Sequence, residues 1–281
     1  ATFVCANDET HTKVAAAAVT PVEVEPDYNN AGSTTYTATV VKADRPDGVD
    51  EDLVVTKVVA IPALSGAAAK IGDILYGTLA DAVAAAQAGE TVELLRDVKT
   101  EGITVDKAIT LDLAGHKISS DAPAIFKVES AGDLTITGNG TIEGPANGAA
   151  FDGKALIVVD GGKLTIENGT LTATGEGSDG MYGVYVLNGG TAVFGKEDGT
   201  GPAITSHFAA IGTNNTTAPA DITVYGGTYT ANAAPSDSDW WSYFCAPVYA
   251  ASNGTYNLAG GTFTGYYGIS SRYADTDQDV T

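Results

Sequence analysis

One scheme recurs along the C-terminal two thirds of the chain and limits what the chain can become. The strings DLTITGNGTIEG from Asp133, KLTIENGTLTAT from Lys163, DITVYGGTYTA from Asp221 and TYNLAGGTFTG from Thr255 share it. Each is a short apolar alternation, a turn with Gly, then Thr and a second alternation. AITLDLAGHKIS from Ala108 is a looser copy. Between copies lies a second, shorter apolar element: GITV at Gly102, AIFKV at Ala124, ALIVV at Ala155, GVYVL at Gly183, AAIG at Ala209, PVYAAS at Pro247 and YGISS at Tyr267. Marker residues Leu134, Leu164, Val193, Ile222 and Tyr256 are spaced by 30, 29, 29 and 34 residues.

A period of that length with three short strands and no helical segment excludes a leucine-rich repeat and an antiparallel sandwich. No single copy can bury its apolar side chains, so successive copies must stack. Alternation in LTI, LIVV and TVY sends Ile, Leu and Val inward and Thr, Lys, Glu and Asn outward. The expected fold is all-β, a parallel β-helix with three strands per coil. Asn139-Gly140, Asn168-Gly169, Asn188-Gly189 and Asn253-Gly254 are read as coil corners that need positive φ. Several also spell Asn-Gly-Thr acceptor sequons, but the corner reading takes precedence.

Thr78 to Gly89 (TLADAVAAAQAG) is the clearest helix, with Thr78 as N-cap, Asp81 three residues on, and Leu79, Ala82, Val83 and Ala86 on one face. It is expected to cap the N-terminal end of the stack, where open strand edges are a liability. Residues 1–64 differ in kind: HTKVAAAAV, TTYTATVV and LVVTKVVAIP predict a small antiparallel β module. Residues 65–77 are expected to be a linker, and 78–281 the β-helix, with the helix spanning 78–89. YYGISS matches an element that opens a coil and only ten residues follow it, so the stack is expected to continue past Thr281 within a longer polypeptide.

Acidic residues number 35 against 14 basic ones, a net charge of −21. That excludes nucleic acid and anionic membrane surfaces as partners, since both demand Lys and Arg. No run of 18 apolar residues exists to insert into a bilayer. Cys5 and Cys245 supply neither a disulfide framework nor a metal cluster. Scarce cysteine with high acidity suits the outside of a Gram-positive bacterium.

The order VTKVVAIPAL, then YGTLADAVAAAQAGETVELLRDV, then ITLDLAGHKI resembles the large repeat-rich surface proteins of gut-dwelling Firmicutes and Actinobacteria, which are similar to pectate-lyase-like β-helices. The resemblance covers residues 74–270 best. It implies a right-handed parallel β-helix and an extracellular, adhesin-like or structural role, with a host glycan or surface protein as partner. Related N-terminal modules carry paired cysteines near their start, whereas Cys5 stands alone here.

Carbohydrate lyases and hydrolases on this fold need a Ca²⁺-binding carboxylate cluster with a basic proton acceptor, or paired aspartates. The strand elements supply almost no Asp; the nearest acids, Asp106, Glu129 and Asp160, sit just beyond them and read as a solvated corner column. His11, His116 and His207 are dispersed. No catalytic residue and no required cofactor are assigned, with Ca²⁺ considered only at Asp275, Asp277 and Asp279 of the tail, which otherwise reads as a plain acidic terminus.

The most suggestive local feature is the insertion APSDSDWWSYFCAPVY. Trp240, Trp241, Tyr243 and Phe244 gather there beside Asp237 and Asp239. Such rings stack on sugar faces while carboxylates accept sugar hydroxyls, or else they fold over the coil as a satellite core. The expected function is a non-enzymatic surface module, adhesin-like or a stalk, with Trp240, Trp241, Tyr243, Asp237 and Asp239 as candidate ligand contacts. A carbohydrate-active β-helix and end-to-end self-assembly are the alternatives.

Overall fold

The computed structural model describes residues 1–5, 7–44, 51–144, 155–173, 181–213, 218–235, 242–271 and 278–280. Two units are present, Ala1–Gly66 and Ala67–Thr281.

The first unit holds an antiparallel hairpin, Thr2–Cys5 with Asp8–Val14, and a three-stranded antiparallel sheet of Ala18–Val24, Gly32–Val40 and Leu53–Ile61. Its described residues therefore hold five strands where three were expected. HTKVAAAAV is split because its alanine run carries no alternation: Ala15 leaves the strand, is buried, and donates its N–H to the Ala1 carbonyl at 2.8 Å. Ala18–Val24 is a strand despite Pro21, because it lies at the sheet edge, where a missing N–H costs no ladder bond.

In the second unit the chain visits three parallel sheets in a fixed cycle. The first wall holds Thr91–Leu94, Ala108–Asp112, Asp133–Thr137, Lys163–Ile166, Thr191–Phe194, Asp221–Val224, Gly254–Leu258 and Gln278–Val280. The second wall holds Val98–Lys99, Lys117–Ser119, Thr141–Glu143, Thr170–Ala173, Ala203–Ser206, Thr228–Ala231 and Thr262–Thr264. In the third wall are Ile103–Val105, Phe126–Glu129, Ala155–Asp160, Tyr182–Leu187, Ile211–Thr213, Val248–Tyr249 and Ile269–Ser270. This is a parallel β-helix-like architecture, and all seven short apolar elements of the sequence lie on the third wall.

Alternation sorts the side chains as the period of two requires. In the second wall Val98, Ile118, Ile142, Leu171, Ile204, Tyr229 and Phe263 fall in one inward row, each opposite the next. Fully burying one such aliphatic side chain is worth about 1.5–3 kcal/mol, so the rows are the main source of cohesion. One repeat marker was misplaced: Ala192, not Val193, is opposite Leu164 and Ile222. Ala192 and Phe194 point inward and Val193 outward, so the strand's phase is set by the Ala-Phe pair and not by Val193.

The corners differ in detail from expectation. Asn188 and Gly189 do adopt positive φ (54° and 82°), but at Asn139-Gly140 the positive φ falls on Gly138 (80°). Gly140 is needed for close approach instead, since a Cβ there would lie 2.5 Å from Leu113 Cβ.

The helix spans Leu79–Ala85, shorter than 78–89. Thr78 Oγ accepts the Asp81 N–H at 3.0 Å, and Leu79, Ala82 and Val83 are buried in the same core as the walls. The helix stops early because Glu90 Oε2 takes the Gln87 N–H at 2.7 Å, while Gly89, at φ 88°, donates to the Ala108 carbonyl and leads the chain into the first wall. Residues expected as linker hold a hairpin, Ala69–Ile71 with Ile74–Tyr76, that pairs antiparallel with Thr91–Leu94 and extends the first wall. The alternation in AKIGDILY is too short to read as strands, and Gly72, at φ 56°, supplies its turn.

Candidate functional site

The third wall is where chemistry gathers, because its outward positions are not uniformly polar. Thr104, Lys127, Val158, Tyr185, Gly212, Tyr249 and Ser270 form its central outward column, each opposite the next. Over its middle lies a second apolar cluster, separate from the main core, that includes Tyr182, Phe208, Phe244, Cys245 and Tyr249, with Val158, Tyr185 and Tyr243 packed against it and half-buried. The sequence sets this up at one irregularity. In Ala155–Asp160 both Leu156 and Ile157 enter the main core, which turns Ala155 and its partner Tyr182 outward.

Ring geometry in the cluster is dense. Tyr182 stacks on Tyr185 with centroids 4.8 Å apart, and stands edge-on to Phe244 at 6.1 Å. Tyr243 lies 4.3 Å from Phe244 and 5.9 Å from Tyr249, and Phe244 meets Tyr249 edge-on at 4.9 Å. Burial pushes the Tyr182 hydroxyl well above the usual phenol range, so it stays protonated. Tyr185 and Tyr243 are the rings of the cluster that solvent still reaches.

A polar corner adjoins this surface. Lys127 Nζ sits 3.3 Å from Glu129 Oε1 and 3.1 Å from Asp160 Oδ2, and Asn188 Nδ2 donates to Asp160 Oδ1 at 2.6 Å. Glu129 and Asp160, expected just beyond the strands, are the last residues of Phe126–Glu129 and Ala155–Asp160, lie directly opposite in register and are both paired with Lys127, while Asp106 falls outside Ile103–Val105. The Asn188 amide, with Lys127 beside it, holds the Asp160 carboxyl below the usual carboxylate range. Asp160 and Glu129 hold the Lys127 ammonium above its usual value.

Of the candidate contacts, Tyr243 belongs to this cluster, while Asp237, Asp239, Trp240 and Trp241 lie outside the described residues, as do Asp275 and Asp277 of the tail. Asp279 lies in a strand that pairs with Gly254–Leu258. Cys245 is fully buried among the rings, where it packs as a small apolar residue. His116 Nδ1 is 3.6 Å from Asp97 Oδ1, and His207 packs on Phe208 with centroids 5.1 Å apart. Among the described residues no group of three or more His, Cys, Asp or Glu could hold a metal ion.

Sequence reasoning missed two features. Tyr182, Tyr185 and Phe208 sit in GMYGVYV and SHFAAI, where only Tyr185 holds the outward phase, opposite to Val184 and Val186, and was the available signal. The other is a buried polar knot between the third and first walls. Thr213 Oγ donates to the Tyr249 carbonyl at 3.3 Å, accepts from Ala251 N at 2.8 Å and Ser252 N at 3.1 Å, and lies 2.9 Å from the Tyr256 hydroxyl.

No family model, no curated protein and no solved structure matches the chain.

Proposed function

We propose that this chain is part of an extracellular bacterial surface protein, in which a right-handed β-helix of three strands per coil forms a non-enzymatic stalk and presents an aromatic face to glycans. The observation that carries the reading is the aromatic cluster outside the third wall, with Tyr185 and Tyr243 still half-exposed. Long stretches of sequence support it: those between Glu143 and Ala155, between Ala173 and Tyr182, and between Ala231 and Val248 each follow a second-wall strand and precede a third-wall strand. Long segments between rigid elements are common carriers of recognition residues. Right-handedness follows the rule for parallel strand crossovers. The helix and hairpin ahead of the first wall act as the N-terminal cap in this reading.

A non-enzymatic role is supported by the central outward column of the third wall, which carries one charged side chain in seven positions, Lys127. A screen of glycans and host surface proteins against the folded chain tests the proposal. Tyr185→Ala and the paired change Trp240→Ala and Trp241→Ala should abolish binding while leaving the walls folded. Loss of stability in these variants, with no ligand found for the parent chain, would retire it.

A further inference from the structure

The aromatic face of the third wall and the charged corner beside it are neighbours in register. Val158 lies opposite Tyr185, and Asp160, two residues on, lies opposite Leu187. Residues two apart in a strand share a face, so Asp160 and Tyr185 stand diagonally on adjacent strands, both outward, with Cα atoms about 8 Å apart. Tyr182 stacks on Tyr185 at 4.8 Å and 23°, and Tyr185 is only half-buried. On the strand before, Lys127 is opposite Val158 and Glu129 is opposite Asp160.

Charge at this border is uneven. Lys127 Nζ contacts both Glu129 and Asp160, so two carboxylates against one ammonium leave the corner with a net negative charge, and the ammonium is already engaged. Asp160 keeps its charge in mild acid, since the Asn188 amide and Lys127 hold its carboxyl below the usual range. The rings act with the same sign, because the π-system of a tyrosine presents a negative face to whatever lies on it. The chain as a whole carries −21.

We infer that the third wall selects among glycans by charge, taking sugars that carry a free amino group and refusing sugars that carry a carboxylate, with Asp160 as the discriminating residue. This rests on the glycan reading of the aromatic face and adds the class of sugar to it. A hexosamine laid on Tyr185 covers the ring with its C–H face and can turn its ammonium toward Asp160, so stacking and charge act on one sugar. A carboxylate in the same place meets Asp160 and Glu129 with Lys127 already held between them. The rings favour a sugar over a lysine side chain, because a pyranose is rigid and flat where a lysine brings a flexible stem whose freedom is lost on binding.

The experiment is titration calorimetry on the full chain at about pH 6, where a sugar amine is protonated and carboxylates are ionised. Salt at about 0.15 M screens the general field of the chain beyond about 8 Å. The probes are short oligomers of glucosamine, of N-acetylglucosamine and of galacturonic acid, with oligolysine as a cation that is not a sugar. The glucosamine oligomer should bind at least about tenfold more tightly than its N-acetylated counterpart, and the galacturonic acid oligomer should not bind. Asp160→Asn, which keeps an oxygen for the Asn188 amide, should reduce the preference to within about threefold. Tyr185→Ala should abolish binding of the glucosamine oligomer. Circular dichroism establishes that the variants are folded; should Asp160→Asn disturb the walls, Glu129→Gln, which removes a charge from the same corner, replaces it. Equal affinity for the two hexosamine oligomers overturns the inference and leaves the glycan reading standing. A preference that the carboxylate variant leaves intact also overturns it, by tracing the effect to the general charge of the chain. Oligolysine that binds as tightly as the glucosamine oligomer and is lost in Tyr185→Ala overturns it in favour of a protein partner. Absence of binding by the glucosamine oligomer overturns it whatever other glycans a screen finds.

Discussion

Tyr182 fills the space that a side chain at Gly212 would need: a Cβ there would lie 2.7 Å from Tyr182 Cδ1, and 3.3 Å from Tyr185 Cδ2. The stacked pair of rings therefore rests directly on backbone, and Gly212 is required by packing, not by its φ. Gly212→Ala should cost about 1–3 kcal/mol, the usual penalty for forcing a methyl group into a filled site. Urea unfolding measures it, and Tyr182→Ala supplies the check. In that background the Gly212→Ala penalty should shrink sharply, since contacting residues couple; an unchanged penalty would mean that the ring is not what the methyl meets.

A second prediction concerns the polar knot. Val105, Val128, Val159 and Val186 precede Thr213 in one inward row, so the repeat itself recommends Val at 213. Thr213→Val should nonetheless destabilise by about 2–4 kcal/mol, because the N–H groups of Ala251 and Ser252 and the Tyr256 hydroxyl lose a buried partner. Thr213→Ser, which keeps the oxygen, should recover most of the loss. Equal unfolding midpoints for the Val variant and the parent would show that water or a shift of backbone replaces the bonds.

These two sites show where reading from sequence stops. Inward alternation and turn chemistry are local, so strands such as Lys163–Ile166 and Thr170–Ala173 were legible from KLTIENGTLTA alone. What Thr213 bonds to lies some forty residues away on the next coils, and no local pattern encodes it. The hairpin Ala69–Ile71 with Ile74–Tyr76 was read as linker because its strands are three residues each, and pairing with Thr91–Leu94 is what makes them strands. At the candidate site Tyr243 was legible as part of an aromatic cluster. Its partner Tyr182 was not, because alternation from Val184 and Val186 would send it inward and only the irregularity at Leu156 and Ile157, beside its ladder partner Ala155, turns it out; Phe208 lies between strands, where no alternation applies.

The corner at Asp160 gives a prediction about pH. Its carboxyl is held below the value of about 3.8 that it would have unfolded. A group depressed in this way contributes stability that is fully present above the unfolded pKa and is lost as pH falls through the lower folded one. Asn188→Gly removes the largest cause of the depression and tolerates the positive φ at that position. The parent's advantage that depends on this bond should be under about 1 kcal/mol, as for other partly exposed pairs. It should be constant from pH 7 to about pH 5 and vanish progressively below pH 4. Urea midpoints for both proteins across pH 7 to 2.5 report it; a gap that does not narrow in acid would assign the effect to the turn alone.

Catalytic silence is the fourth expectation. A polysaccharide lyase needs a base that can give up its proton, and Lys127, the cation of the third wall's outward column, is held above its usual value between Asp160 and Glu129. Incubated with pectin, alginate or other polyuronates, with and without Ca²⁺, the chain should release no unsaturated or reducing ends. Sustained turnover that Lys127→Ala abolishes would establish the enzymatic alternative.

The last prediction follows from how the third wall ends. Ala155–Asp160 lies between two strands of its sheet, and Leu156, Ile157 and Val159 are fully buried. Ile269–Ser270 pairs only with Val248–Tyr249 among the described residues, and Ile269 remains 45% exposed, with Tyr266 and Tyr267 exposed beside it. A strand with one neighbour and little buried apolar area opens at low cost, while one with two neighbours and a full core opens only when much of the stack does. Amide exchange at Tyr266–Ser270 should therefore be orders of magnitude faster than at Leu156–Val159 in the isolated chain. The concentration dependence separates causes: protection at Tyr266–Ser270 that appears only as concentration rises would mean that a second copy covers this end. Equal protection of both segments in a proven monomer would show that the chain closes the stack by itself, and the prediction would be wrong.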